Sequence, residues 1–164
     1  MPAEKLVEIT GELYRQGGGY RPVTDGYVLK ELLRDSLSKG EIRDIPYMLG
    51  MTKDDIGVTG GQYEGTMFYN GMTDFAEARK ASSDKPVYLY LFRHDLPGDD
   101  MGAIHSWELW YVFNTLKRCW RPLTEEDHAI SERMSDIWTD FIKGKDISDR
   151  WTEYSGADSI NYID

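Results

Sequence analysis

The sequence predicts an α/β fold, with few, mainly parallel strands flanked by helices and a helix-rich composition overall. Two short, almost unbroken apolar runs, IPYMLGM at 45–51 and VYLYLF at 87–92, read as strands buried on both faces. A helical pattern lies between them, so they form a β-helix-β crossover into a parallel pair. A third observation is a strongly specified late helix, with a cap at one end and a glycine at the other.

The elements follow in order along the chain. Leu6, Ile9 and Leu13 form a helical stripe that ends at Gly17-Gly18-Gly19. YRPVTDGYVL at 20–29 reads as extended, with a turn at Asp25-Gly26. Leu29, Leu32, Leu33 and Leu37 give the next helical face, closed by Gly40. After the first buried strand, Gly57, Gly60, Gly61 and Gly65 mark a long loop. Phe75, Ala76 and Ala78 predict a short helix over about 74–81. The HDLPGDD loop follows the second strand, and a helix is expected over 106–116. In the helix from about 125 to 143, Thr124 and Asp127 have the spacing of a capping box. Ile130, Met134, Ile137, Trp138 and Phe141 share one face of it, and Gly144 stops it. Ile160-Asn161-Tyr162-Ile163 offers a third strand. Buried parallel strands need neighbours at both edges. Two or three of them are the corner of a sheet, so part of a larger molecule is expected.

Length and composition bound the function. At 164 residues the chain is one domain by length. The net charge of −10 argues against nucleic acid and against an anionic membrane surface as partners. One cysteine, Cys119, excludes an intrachain disulfide and a cysteine metal cluster. It fits a reducing compartment, and with no signal-peptide pattern in residues 1–16 it favours the cytoplasm. No cofactor or metal is expected. His94, Asp95, Asp99 and Asp100 form an oxygen-rich loop that could hold a cation, although such loops are usually solvated. Cys119 is expected to be a small buried side chain. Tyr88, Tyr90, Trp107, Trp110 and Tyr111 are expected in the core or lining a pocket.

Asp54 and Asp55 stand just past the first buried strand, and His105 follows the second. The C-terminal rim of a parallel sheet is where catalytic groups gather. Taken singly, the aspartates also fit a helix cap and His105 a core or capping histidine. Together they match the second half of the order Ser…Asp/Glu…His of α/β-hydrolases, in which the histidine takes a serine's proton and the acid fixes its tautomer.

Five blocks occur here in the order seen in type-B carboxylesterases, the para-nitrobenzyl-esterase-like enzymes related to the cholinesterases. They are PVTDGYVL, DIPYMLGMTKDD, KPVYLYLFRHDLPGDDMGAIHSWELWYVF, LTEEDHAISERMSDIWTDFIKGKD and WTEY. The chain resembles the C-terminal portion of that family over residues 2–154. The resemblance implies an α/β-hydrolase sheet, with Asp55 as the triad acid and the histidine of GA-x-H, His105, as the base. It also implies that Glu108, one helical turn after His105, supports the pair. Asp55-Ile56 replaces the more usual Glu-Gly, so the acid is one methylene shorter.

No G-x-S-x-G occurs in these residues. Gly57-Val58-Thr59-Gly60-Gly61 has threonine for serine and follows the wrong strand. The leading expectation is therefore that residues 1–164 are a C-terminal esterase segment lacking the nucleophile-bearing part. It would be inactive alone and would associate with that part, or with itself through the open sheet edge, around a small ester substrate. The alternatives are a non-catalytic cholinesterase-like interaction module and a self-contained hydrolase using Thr59.

Overall fold

A computed structural model of the chain describes residues 1–19 and 22–164. The chain divides into two compact units, Met1–Lys39 and Gly40–Asp164. In the first, α1 (Ala3–Arg15) carries the expected Leu6, Ile9 and Leu13 stripe. It stops where Gly17 takes φ +79° and the Gly18 N–H returns to the Leu13 carbonyl at 2.9 Å. Of the extended stretch expected at 20–29, Tyr20 and Arg21 lie outside the described residues. Further on, the Asp25 carboxylate accepts the N–H groups of Tyr27, Val28 and Leu29 at 2.8–3.1 Å. That Asx turn takes Leu29 out of the next helix, so α2 spans only Leu33–Ser38 before Gly40 at φ +70°. Neither helix contains a buried residue.

The second unit is built on a three-stranded, all-parallel sheet in the order β1 (Tyr47–Thr52), β2 (Val87–Phe92), β3 (Asn161–Ile163). β2 is the central strand and is buried almost throughout. Its side chains alternate between two layers. Val87, Leu89 and Leu91 meet Met72 and Ala76 of α3 (Met67–Ser82). Tyr88 and Phe92 meet Ile130, Met134 and Ile137 of α5 (Glu125–Ile142), with Tyr111 of α4 (Leu109–Val112). Each fully buried leucine in such a layer contributes about 1.5–3 kcal/mol. The expected capping box is present: the Thr124 side chain accepts the Asp127 N–H, and Asp127 accepts the Thr124 N–H at 2.7 Å.

Four further expectations need correction. β1 is not buried on both faces: only Met51 and Thr52 are, because among the described residues it pairs on one side only. In its register Gly50 faces Tyr90, whose ring occupies the space a Cβ would need. The helix expected at 74–81 begins at Met67: Gly71 does not interrupt it, and the buried Met72 and Ala76 hold this longer helix against the sheet. The helix expected at 106–116 shrinks to one turn, Leu109–Val112, because Ser106 (φ +67°) and Asn114 (φ +48°) are left-handed at its two sides. Cys119 is half-buried, not buried. The glycine loop is a run of tight turns in which Gly57, Gly60, Gly61 and Gly65 all have positive φ.

Candidate active site

Because β1 and β2 are parallel, their C-terminal ends share one rim, and the segments leaving them meet there. Lys53 N–H donates to the Phe92 carbonyl at 2.9 Å, extending the ladder one step. Asp54 then clips the chain that returns toward His105. Its N–H donates to the Ala103 carbonyl at 3.1 Å, its Oδ2 accepts the Ala103 N–H at 2.9 Å, and it bridges Ile104 in parallel. This clip explains the Gly-Ala pair before the histidine. Gly102 sits at φ +72° with Asp54 Oδ2 where its Cβ would be, and Ala103 is fully buried.

One residue beyond the clip on each strand's exit stand Asp55 and His105. Asp55 Oδ1 lies 2.6 Å from His105 Nδ1. The same carboxylate accepts the Thr52 N–H on Oδ2 (3.2 Å) and the Ile56 N–H on Oδ1 (2.7 Å), so its own turn fixes it as an acceptor. A carboxylate already holding two N–H donors makes Nδ1 the donor of this bond, and in the neutral ring that leaves the lone pair on Nε2. The acid side chain is 6% exposed and the imidazole 51%, and Nε2 makes no hydrogen bond among the described residues. The missing methylene of Asp55 does not prevent the contact.

Phe68, at the start of α3, lies nearly flat over the imidazole, with ring centroids 5.9 Å apart and planes at 14°. Glu108 sits close enough for Asp55 and His105 to act on its carboxyl. Burial, mainly, and the Asp55 charge push its pKa up, against its own backbone N–H and His105. Its Oε2 is buried without a hydrogen bond among the described residues. Tyr90, packed against Trp138 and Trp151, has its hydroxyl pushed well above the phenol range by burial, then by Glu108 and Asp55. The structure thus joins Asp55 to His105 directly, and the Glu108 carboxyl feels the charge of both.

The other candidates disperse. His94 Nε2 bonds Asp127 Oδ1 at 2.9 Å, Asp95 pairs with Lys53 at 2.6 Å, and Asp99 pairs with Arg121 at 2.6 Å. Among the described residues no group of three or more His, Cys, Asp or Glu is arranged to hold a metal ion. Thr59 is taken up in a turn bridged to Gln62. Tyr88 and Tyr111 are core residues, with Tyr90, Trp107 and Trp110 packed against that core. No helix among the described residues is long and apolar enough to cross a membrane. Sequence reasoning missed the Asp54 clip, for which Gly102-Ala103 was the available signal, and Phe68, for which there was none.

Known proteins were compared with the chain. The model of the carboxylesterase family matches residues 62–163, which include His105 and Glu108 and stop short of Asp55. Acetylcholinesterase-1 of Trittame loki is 36% identical over 63 residues, 36% of this chain and 11% of that protein. A solved PNB esterase structure superposes on 94% of this chain with a TM-score of 0.66 at 19% identity, which shows the α/β-hydrolase fold. The chain spans 42% of that esterase's length. With the family model covering well over half of its residues, the chain belongs to the carboxylesterase family as a type-B carboxylesterase-like segment.

Proposed function

We propose that Asp55 and His105 are the acid and the general base of a Ser-His-Asp triad that hydrolyses carboxylic esters, with the serine supplied from outside these 164 residues. The observation that carries this reading is the 2.6 Å Asp55–His105 bond made through Nδ1, which leaves Nε2 unpaired at the rim. In the complete site, Nε2 takes the proton of the serine hydroxyl as its oxygen attacks the ester carbonyl. The imidazolium then returns that proton to the departing alcohol. Water, activated by the same nitrogen, releases the acid. Asp55 holds the tautomer and stabilises the imidazolium, and the nearby Glu108 carboxyl adds to the field around the ring.

These 164 residues contain no G-x-S-x-G, so the serine and the oxyanion donors come from a preceding part of the same esterase, and the segment alone does not turn over. Among the described residues β1 pairs on one side, which supports placing that part against the sheet edge, with self-association through the edge in its absence.

A p-nitrophenyl ester assay tests this on the segment and on the complete coding region. The segment is expected to be inert, and the complete protein active in a His105-dependent way. His105-dependent hydrolysis by the segment alone contradicts the missing serine. Full activity of His105→Ala in the complete protein contradicts the base.

A further inference from the structure

We infer that Arg121 is a positioning residue for His105, a clamp that grips the chain on both sides of the base. This inference rests on the reading of His105 as that base. The Arg121 side chain is 3% exposed. On one side of His105 its Nη1 donates to the Pro97 carbonyl at 2.9 Å and its Nη2 to Asp99 Oδ2 at 2.6 Å. On the other side its guanidinium lies 3.9 Å over the ring of Trp107, two residues past the histidine, and Trp120 stands at 4.8 Å. One planar cation therefore joins both ends of the arc 97–107.

The grip is passed inward residue by residue. Asp99 Oδ1 accepts the Met101 N–H at 3.0 Å, which delivers Gly102 and Ala103 to the Asp54 clip. The Arg121 hydrogen bond, with the Met101 N–H behind it, holds the Asp99 carboxyl below the usual carboxylate range. After the histidine, the Trp107 N–H closes back on the Ile104 carbonyl at 3.2 Å. Close packing on the far side of the arc adds to the constraint: Gly98 is at φ +111°, and a Cβ there would press on Pro122 at 3.0 Å.

Arg121 is itself anchored. Its carbonyl accepts the Leu123 N–H at 2.8 Å, one residue before the Thr124–Asp127 cap of α5. The path therefore runs from the rigid end of α5, through one guanidinium, to the turn that sets the imidazole. A base displaced by about 1 Å loses roughly a hundredfold in rate, so a catalytic ring on a loop needs such a support. Lysine cannot replace it, lacking both the fork that spans Pro97 and Asp99 and the flat face that stacks on Trp107.

The test reads the far-downfield imidazole N–H proton of His105 by NMR in the full chain, with the His94 N–H held by Asp127 as internal reference. Asp55→Asn identifies the His105 signal by removing it. In Arg121→Lys and in Asp99→Asn, exchange of the His105 proton with water is expected to accelerate about tenfold or more while the His94 proton is unchanged. Asp99 is partly exposed, so Asp99→Asn decides the matter should Arg121→Lys fail to fold. Unchanged exchange in both variants overturns the clamp. Equal acceleration at His94 also overturns it, because it marks general loosening. A signal absent from the parent chain, or insensitive to Asp55→Asn, overturns the acid–base reading and the clamp together.

Discussion

The second unit holds two histidine–aspartate pairs of similar length, and they differ in which ring nitrogen meets the acid. His105 uses Nδ1, the nitrogen next to its own backbone, and leaves the tip, Nε2, at the surface. His94 spends its tip on Asp127, with its side chain only 16% exposed. The acids differ as well. Asp55 is held by backbone N–H groups of its own turn. Asp127 accepts the Tyr111 hydroxyl at 2.6 Å and both the hydroxyl and the N–H of Thr124 at 2.7 Å, besides His94. The first pair leaves its outer nitrogen on an exposed ring, whereas the second ties the segment after β2 to α4 and α5. Each ring keeps one nitrogen without a hydrogen bond among the described residues, Nδ1 in His94 and Nε2 in His105, so the difference lies in exposure: 16% of the His94 side chain against 51% of His105.

The largest expected effect is on rate. In the complete protein, under the proposed function, His105→Ala should lower kcat by roughly 10⁶-fold while unfolding within about 0.5 kcal/mol of the parent. Comparable rate loss in His94→Ala, in a protein still folded, would erase the distinction between the pairs.

Asp127→Ala should do the reverse, costing on the order of 3 kcal/mol in denaturant unfolding, since it strands Tyr111, Thr124 and His94 around a lost acceptor. Unfolding within 0.5 kcal/mol or so of the parent would show the network to be dispensable.

A third expectation concerns pH. Burial alone would raise the Asp127 pKa, but the Tyr111 hydroxyl, the Thr124 N–H and hydroxyl, and His94 outweigh it and hold it at about 2, against an ordinary 3.8. A depressed carboxyl stabilises the fold above its unfolded-state pKa and loses that contribution as pH falls through the folded value. Stability should thus drop by on the order of 2 kcal/mol between about pH 4 and pH 2. Asp127→Asn should remove that part of the acid transition, and an unchanged acid limb contradicts the assignment.

The smallest effect is at Phe68. Phe68→Leu removes the flat ring over His105 and should lower kcat several-fold, in line with the roughly 1 kcal/mol of an aromatic pair. A variant with parental kcat would make that ring a bystander.

Much of this was legible in the sequence, for identifiable reasons. β2 and α5 are strong signals because their apolar spacing agrees with their caps, and the place of Asp55 and His105 after strand ends narrowed the site. α4 was overestimated because left-handed Ser106 and Asn114 belong to residue types that also sit well inside helices. The start of α3 was missed because an exposed glycine within a helix looks the same as one in a loop. The partner of His94 is 33 residues away on α5, and the contact of Arg121 with Trp107 depends on two turns meeting. No local pattern encodes such encounters.

The central claim is that Asp55 serves His105 in catalysis. Its most direct test is the kcat for ester hydrolysis of the complete protein carrying Asp55→Asn, measured with its melting temperature. The predicted result is a fall of about 10⁴-fold in kcat in a protein that still melts cooperatively, because asparagine favours the wrong tautomer at Nδ1. A kcat within about threefold of the parent would contradict it.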